Sequence, residues 1–345
     1  MTATSTHLSR RRVVLAHGGG GQLTDDLVRE LVAPRLSNAY LDAMGDAARV
    51  PMHGGHLLFT TDSYVVQPLQ FPGGDIGRLA VSGTVKDLAV SGAIPQFISL
   101  GLIIEEGLEL DTLRTILDSI ATTAREARVQ IVTGDTKVVG KGQGDGIYIN
   151  TSGIGALRPN IELGASRIRP GDVMIVSGLI AEHGLAVMLQ REQAGVVESS
   201  LASDVAPLGD LIGALLDRVG ADVAFMRDPT RGGFAGVAAD AAQQSGLRLT
   251  LDEDAIPIRP PTRYAAEILG LDPLAVANEG KVVAVVRPDA MAAALDALRG
   301  HPLGRDAAVV GRFDDIADGL CELVTNVGGR RIIQKPYGEE LPRIC

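Results

Sequence analysis

Apolar runs of strand length alternate with helix-like apolar patterns along most of the chain. In the first half, these patterns predict strands around 57–59, 96–104, 129–133 and 146–154 and helices over 79–90 and 112–127. Within the first of these helices, Val81, Val85 and Leu88 follow the four- and three-residue spacing that lines up one helical face. This alternation of strands and helices is typical of α/β or α+β domains.

A second series of elements follows the segment Arg169-Pro170-Gly171-Asp172, which has the composition of a turn. Strands are predicted at 173–176 and 281–286, and helices near 184–192 and 233–244. The length of 345 residues favours two domains. We therefore expect a glycine-rich N-terminal segment (1–40), a first domain (41–160), a second domain (168–320) and a C-terminal tail (321–345).

The chain has the composition of a globular protein with an acidic surface. Hydrophobic residues make up 46% of it, and 42 acidic against 32 basic residues give a net charge of −10. This charge argues against binding to nucleic acid or to anionic membranes, so the expected partner is a small molecule or a protein. The apolar run 13–16 after Arg10–Arg12 is too short for a signal peptide, and no later run is long enough to span a bilayer. We expect a cytoplasmic enzyme.

Cysteine is rare in this chain, and one of its two positions is unusual. With only Cys321 and Cys345, a single chain can build neither a disulfide framework nor a cysteine metal site. Cys321 lies in the apolar run 320–324 and is expected to be a buried, unreactive thiol. Cys345 ends a stretch in which Pro336 and Pro342 oppose helix and sheet. It is either part of a frayed end or a thiol on a mobile carrier arm.

Three apolar runs end in an aspartate that is followed by a loop or turn residue. These aspartates are Asp62, Asp135 and Asp228, and α/β proteins commonly place their sites at strand ends. A fourth, Asp87, lies off the apolar stripe of the helix predicted over 79–90. Because Mg²⁺ takes oxygen ligands and bridges carboxylates to phosphates, the four aspartates predict a Mg-nucleotide site. The alternative is that they are ordinary helix caps and turn residues.

A glycine run near the N-terminus fits the same nucleotide site. Its members, ahead of a helical pattern over 23–31, are Gly18, Gly19, Gly20 and Gly21. Such a run can present several backbone N–H groups to an anion at the start of a helix, and a flexible linker explains it equally well. The chain has neither a phosphate-loop signature nor a dinucleotide fingerprint.

Two further charged residues are candidates for chemistry. Lys137 follows Asp135 by two residues and is either a point charge that meets a triphosphate or a plain surface lysine. Glu279 precedes the strand predicted at 281–286 and is either a general base or a turn residue.

Five segments together resemble the HypE family, the carbamoyl dehydratases of nickel–iron hydrogenase maturation. They are Thr61-Asp62, the run GTVKDLA at 83–89, the run IVTGDTKVV at 131–139, the run DPTRGG at 228–233 and the ending Pro342-Arg343-Ile344-Cys345. The resemblance covers nearly the whole chain from Gly18. Aminoimidazole ribonucleotide synthetase, selenophosphate synthetase and thiamine monophosphate kinase share the aspartate segments, whereas the Pro-Arg-Ile-Cys ending narrows the resemblance to HypE.

The resemblance implies a two-domain fold like that of aminoimidazole ribonucleotide synthetase, α/β or α+β, with a mobile C-terminal tail. It implies a first domain that binds ATP and forms a homodimer. Carried over by position, the four aspartates handle Mg-ATP, the glycine run closes over the phosphates, and Lys137 and Glu279 are the catalytic pair.

The resemblance also implies a reaction and its partners. In this family the terminal cysteine, here Cys345, receives a carbamoyl group from the carbamoyltransferase HypF. ATP then drives dehydration of the S-carboxamide to a protein thiocyanate, and the cyano group passes to iron on the HypC–HypD complex.

One position departs from the superfamily pattern, and the location of one tail residue can be predicted from the geometry of an extended chain. The residue before Asp87 is usually Asn and here is Lys86, which is left without a role. In an extended tail Arg343 shares a face with Cys345, so we expect it either beside the sulfur or bound to the terminal carboxylate.

Two rival functions remain at this point. A passive thiol carrier or scaffold would use Cys345 while the aspartates merely cap turns. Another ATP-using enzyme of the superfamily is the nearer rival, although selenophosphate synthetase generally carries a reactive Cys or selenocysteine in its glycine-rich N-terminal region. This chain has no cysteine before Cys321.

Overall fold

The computed structural model describes residues 21–36, 38, 40, 46–52, 55–191, 201–337 and 343–345. Its helices and strands form two sheet-based domains, which confirms the predicted mixed α/β class. The sheet changes between residues 157 and 173, where the last strand of the first domain ends and the first strand of the second begins. Over the described residues, no helix combines the length and the hydropathy needed to cross a bilayer.

The first domain is built on a five-stranded sheet in the order β1-β2-β7-β5-β6, in which only the pair β5–β6 is parallel. Its strands are β1 (Ala48–Met52), β2 (Gly55–Tyr64), β5 (Ala93–Glu105), β6 (Gln130–Val139) and β7 (Ile147–Leu157), with a small hairpin of β3 (Gln70–Phe71) and β4 (Gly74–Asp75). Its helices are α1 (Gln22–Leu27), α2 (Ala33–Leu36), α3 (Ile76–Val90) and α4 (Leu110–Glu126), and a π-helical turn (Val28–Val32) joins α1 to α2.

Helix α3 lies at the centre of the molecule. The Asp75 carboxylate caps it by accepting hydrogen bonds from the backbone N–H groups of Gly77 at 2.7 Å and Arg78 at 2.9 Å. Ala89 and Val90 at its far end share a buried apolar cluster with residues of the second domain. Every residue of α3 except Arg78 and Asp87 is buried, so the helix is enclosed on almost every side.

The second domain has a seven-stranded sheet in the order β14-β13-β10-β12-β8-β11-β9. Its strands are β8 (Val173–Val176), β9 (Val223–Arg227), β10 (Leu249–Asp252), β11 (Val283–Val286), β12 (Ala308–Phe313), β13 (Cys321–Val324) and β14 (Arg330–Ile333). Its helices are α5 (Glu182–Arg191), α6 (Gly209–Val219), α7 (Gly233–Ser245), α8 (Pro260–Leu269) and α9 (Met291–Arg299). Apolar clusters lie on both sheet faces, which is why β8 and β11 are apolar and buried at every position.

The tail begins later than residue 321, so that prediction is wrong for residues 321–333. These residues form β13 and β14 of the second sheet. Cys321, Leu323 and Ile333 face the core, an alternation typical of strands. Burial raises the pKa of the Cys321 thiol to about 12, in agreement with an unreactive core cysteine.

The N-terminal helix fastens the segment that follows β14. The backbone N–H of Gln22 donates to the Pro336 carbonyl at 3.0 Å, and that of Leu23 donates to the Tyr337 carbonyl at 3.1 Å. The Lys335 ammonium pairs with Asp25 at 2.8 Å. The chain is therefore held at Pro336 and Tyr337, close to the described start of the first domain.

Candidate active site

The two domains and the C-terminal tail meet around a cavity of about 440 Å³, here called the interdomain cavity. Five residues predicted from sequence line it: Asp62 from β2, Asp87 from α3, Asp228 after β9, Glu279 before β11, and Cys345 from the tail. The other lining residues are Asp46, Thr61, Ser63, Tyr64, Gly83, Lys86, Thr230 and Arg231. Residues far apart in the chain thus converge on one concave site, which is the usual setting for catalysis.

Carboxylates dominate one side of the interdomain cavity. Burial and then the negative charges of Asp62 and Asp228 raise the pKa of the Asp87 carboxyl well above its ordinary value. Asp87 also accepts a hydrogen bond from Thr60 Oγ1 at 3.2 Å. Asp46 was not predicted, because no apolar run precedes it in the sequence. These mutually repelling carboxylates form a region that a cation would stabilise.

Tyr64 fixes one of these carboxylates. Its hydroxyl donates to Asp62 Oδ2 at 3.1 Å, and burial followed by the Asp62 charge raises the tyrosine pKa well above 10. A Cβ at Gly83 on α3 would lie 2.2 Å from the Tyr64 hydroxyl oxygen, so only glycine fits there. Asp62 lies within β2 rather than at its end, which corrects the sequence prediction for its position.

Lys86 joins the two domains through buried ion pairs. Its Nζ lies 2.6 Å from Glu279 Oε2 and 3.1 Å from Asp228 Oδ2, and its side chain is 1% exposed. Burial alone would lower the pKa of Lys86, but the charges of Glu279 and then Asp228 raise it above its ordinary value. The residue that sequence reasoning left without a role therefore connects α3 to both acidic loops of the second domain.

The loop that carries Glu279 is held rigidly. The Asp204 carboxylate accepts hydrogen bonds from the backbone N–H groups of Glu279 at 3.1 Å and Gly280 at 3.2 Å and pairs with the Lys281 ammonium at 2.9 Å. A Cβ at Gly280 would lie 1.7 Å from the Asp204 carbonyl oxygen. Asn278 ties the same loop to the Asp228 loop, since its N–H and its side-chain amide both donate to the Pro229 carbonyl. Glu279 is thus positioned by a buried framework and is not a residue of an exposed turn.

The backbone of the tail is docked beside the interdomain cavity. The N–H groups of Val65 and Gln67 donate to the backbone oxygens of Cys345 at 3.3 Å and Arg343 at 3.1 Å. Ile344 is 1% exposed and belongs to the first-domain apolar core. Its carbonyl lies 3.0 Å from His183 Nε2, and because a carbonyl oxygen only accepts, this nitrogen donates.

The arginine beside the sulfur is Arg231, so the prediction for Arg343 is wrong. Arg231 Nε donates to Cys345 Sγ at 3.1 Å. Arg343 has a φ of 57°, which turns the tail, and its guanidinium contacts the Val65 carbonyl at 3.1 Å and the Asp145 carboxylate instead. Burial raises the pKa of the Cys345 thiol to about 11, although Arg231 opposes this shift.

Two residues predicted for the site, Asp135 and Lys137, do not line the interdomain cavity. Lys137 and Asp135 pair with each other at 2.7 Å on β6, the edge strand of the first sheet, where both side chains are about 70% exposed (68% and 70%). Asp135 also lies within its strand rather than at a strand end.

The predicted glycine cradle falls largely outside the described residues. This applies to Gly18, Gly19 and Gly20. Gly21 is described: it precedes α1, and its carbonyl accepts from Thr24 and Asp25. It does not line the interdomain cavity.

Comparison with known proteins assigns the chain to a family. Residues 44–157 match the family described as AIR synthase related protein, N-terminal domain, and residues 169–318 match its C-terminal domain. A carbamoyl dehydratase HypE of Rhizobium leguminosarum bv. viciae is 45% identical over 334 residues, which cover 97% of this chain and 95% of the relative. The chain belongs to the HypE family.

Solved HypE structures have the same fold. A HypE–HypF complex superposes with a TM-score of 0.85 at 43% identity and covers 90% of this chain and 99% of the compared one. The hydrogenase maturation protein HypE in complex with ATP gives a TM-score of 0.81 at 40% identity and covers 97% of this chain and all (100%) of the compared one. Membership in the HypE family confirms the resemblance carried by the aspartate segments and the Pro-Arg-Ile-Cys ending.

Proposed function

We propose that this protein uses ATP to remove water from a carbamoyl group bound to the sulfur of Cys345, which leaves a thiocyanate for hydrogenase maturation. The observation that carries the proposal is the docking of Cys345 in the cavity that Asp62, Asp87, Asp228 and Glu279 line. A passive carrier has no need of a buried acidic site around its thiol. The curated relatives named carbamoyl dehydratase support the same activity.

The reaction converts S–C(=O)–NH2 into S–C≡N, so the carbamoyl carbon loses its oxygen and the nitrogen loses two protons. ATP supplies the phosphoryl group with which that oxygen departs as phosphate, leaving ADP. Glu279 is the proposed base that takes an N–H proton, because it lines the same cavity as Cys345. Lys86 and Asp204 hold Glu279 in place through its side chain and its backbone.

The acidic side of the cavity fits a magnesium nucleotide. Within the described residues, no three acidic, His or Cys side chains already form a ligand set for a metal ion. Mg²⁺ commonly binds through one or two carboxylates together with substrate phosphates, and it offsets the charge of those phosphates. The proposed magnesium ligands are Asp62, Asp87 and Asp228, whose mutual repulsion is visible in the raised pKa of Asp87.

A second copy of the chain is the proposed source of the remaining predicted residues. Phe59, Ile154 and Phe97 are cross-strand neighbours on the outer face of the first sheet, and both phenylalanines are about 40% exposed (41% and 40%). Lys137 pairs in register with Ile103, which is 46% exposed. This apolar face supports the homodimer, and its burial would bring Asp135 and Lys137 to the nucleotide side of the partner subunit.

Two protein partners follow from the same reaction. HypF is the proposed carbamoyl donor, since a relative with 43% identity forms a HypE–HypF complex. The HypC–HypD complex is the proposed acceptor of the cyano group. Both would require Cys345 to leave its docked position, because it lines the interdomain cavity and its sulfur contacts Arg231 there.

Intact mass spectrometry tests the proposed function directly. The protein is incubated with a carbamoyl donor system, and Cys345 should gain one carbamoyl mass. On addition of Mg-ATP the adduct should lose the mass of one water, and Glu279→Gln should retain the unshifted adduct. If the wild-type adduct keeps its mass in the presence of ATP, the protein is a carrier and not a dehydratase.

A further inference from the structure

One arginine contacts two atoms of the residue that carries the reacting group. Arg231 Nε donates to Cys345 Sγ at 3.1 Å, and Arg231 Nη2 donates to the Cys345 backbone oxygen at 3.0 Å. These two donors lie on the same edge of the planar guanidinium, which binds paired acceptors in a fork. Binding the sulfur and the backbone oxygen together fixes the orientation of the cysteine side chain.

The backbone of the loop that carries Arg231 is also restricted. The residue lies in the loop between β9 and α7, in which the N–H of Gly233 donates to the Thr230 carbonyl at 2.8 Å. Gly233 has a φ of 60°, and a Cβ there would lie 2.5 Å from the Leu274 carbonyl oxygen. The backbone from which Arg231 extends is therefore restricted independently of the tail.

The sulfur of Cys345 lies among charged groups of both signs. Burial raises the pKa of the Cys345 thiol, Arg231 lowers it, Glu279 raises it, and Lys86 lowers it. Lys86 is already bound to Glu279 and Asp228, whereas Arg231 touches the sulfur itself. Among the described residues, Arg231 is the cation seen to bind both the sulfur and the backbone oxygen of Cys345.

We propose that Arg231 is a catalytic residue of the dehydration step, which orients the sulfur of Cys345 in the interdomain cavity and plays no part in loading the carbamoyl group. The inference rests on the proposed function, because it assigns a role within the dehydration of the docked tail. Loading takes place on a tail that has left the cavity, where Arg231 is out of reach. The two steps should therefore respond differently to its replacement.

The first experiment separates the two steps in the full-length protein. Carbamoyl loading of Cys345 and the single-turnover loss of water with Mg-ATP are followed by intact mass spectrometry for wild type, Arg231→Gln and Arg231→Lys. Loading should not slow in either variant, and it should rise where loss of the Arg231 contacts loosens the docked tail. Dehydration by Arg231→Gln should fall about 10- to 100-fold, the range for loss of a charge-assisted hydrogen bond. Arg231→Lys should fall between the two, because an ammonium does not reproduce the fork.

A control and a second readout keep the inference testable if turnover fails. Arg248→Gln removes a surface arginine that pairs with Asp318, far from the machinery, and should dehydrate like wild type. The Val65 amide donates to the Cys345 backbone oxygen, so its hydrogen-exchange rate measures how firmly Arg231 holds the docked tail, without any substrate. Arg231→Gln should exchange this amide faster, whereas the amides between β2 and β7 should stay protected.

The outcomes separate the inference from the proposed function. If the wild-type adduct does not lose water, the proposed function fails, while faster exchange at Val65 still supports the grip of Arg231 on the tail. If wild type and Arg231→Gln dehydrate at equal rates, Arg231 is not catalytic and the inference is overturned. Equal slowing of loading and dehydration overturns it as well, because Arg231 would then act on the fold or on tail access alone.

Discussion

Replacement of Lys86 by methionine tests whether the buried ion pairs connect the two domains. At an effective dielectric constant of about 20, Nζ–O distances of 2.6 and 3.1 Å correspond to attractions of about 6 and 5 kcal/mol, most of which offsets the cost of burying the charges. Lys86→Met removes the attraction and leaves Glu279 and Asp228, 2% and 7% exposed, without their cation. We expect a loss of about 3–5 kcal/mol in the free energy of unfolding.

Thermal unfolding measures this loss. Far-UV circular dichroism is the suitable probe, because the chain contains no tryptophan. Lys86→Met should unfold roughly 6–20 °C below wild type, at about 2–4 °C per kcal/mol for domains of this size. The matched control is Arg114→Met, which breaks a surface pair whose side chains are 69% and 91% exposed and should shift unfolding by a few degrees at most.

A double-mutant cycle identifies the cause of the loss. When Glu279→Gln is added to Lys86→Met, one of the two unpaired carboxylates disappears. The double mutant should therefore be more stable than the sum of the single changes predicts, by about 1–3 kcal/mol. Additive effects, or a Lys86→Met variant that unfolds together with the Arg114→Met control, would refute the reasoning.

Three further predictions follow from the site. The docked thiol of Cys345 has a pKa raised to about 11, so it is protonated at pH 8 and becomes thiolate only as the pH approaches 11. Ile344→Asp undocks the tail and should speed iodoacetamide labelling of Cys345 at pH 8 by up to about 100-fold. An unchanged labelling rate would contradict the docked state. Asp204→Asn weakens the support of the Glu279 loop and should slow single-turnover dehydration at least about 10-fold by mass spectrometry, whereas wild-type turnover would remove Asp204 from the mechanism. Phe97→Asp places a charge on the outer sheet face and should convert the proposed homodimer into a monomer in light scattering, whereas a variant that keeps the mass of a dimer would contradict the proposed interface.

Local sequence patterns predicted the elements well, because each depends on neighbouring residues. The strand predicted at 173–176 and the helix over 79–90 are present, the latter beginning three residues earlier at the Asp75 cap. The alternation typical of a strand also holds in β13, where Cys321 and Leu323 face the core. The predicted start of the tail at residue 321 is too early, since residues 321–324 alternate between buried and half-buried positions as a strand does.

Contacts between distant residues were beyond the sequence. Asp228 and Glu279 were recognised as candidates from their loops, but their common partner Lys86 lies on a helix some 140 residues earlier than Asp228. Arg231 lies in the run DPTRGG at 228–233, yet nothing in the spacing of that run shows that it reaches the sulfur of Cys345. Such pairs are fixed by how the domains and the tail meet, and no local periodicity encodes that arrangement.

The two backbone hydrogen bonds that hold Pro336 and Tyr337 against the N-terminal helix determine how long the tail beyond them is. From that anchor, residues 338–345 are all the chain that carries the sulfur, and eight residues extend at most about 26–29 Å. Any donor or acceptor must bring its own reactive centre inside that radius of Tyr337. While this anchor holds, the reactive centres of both proposed partners are thus confined to the same limited region around Tyr337.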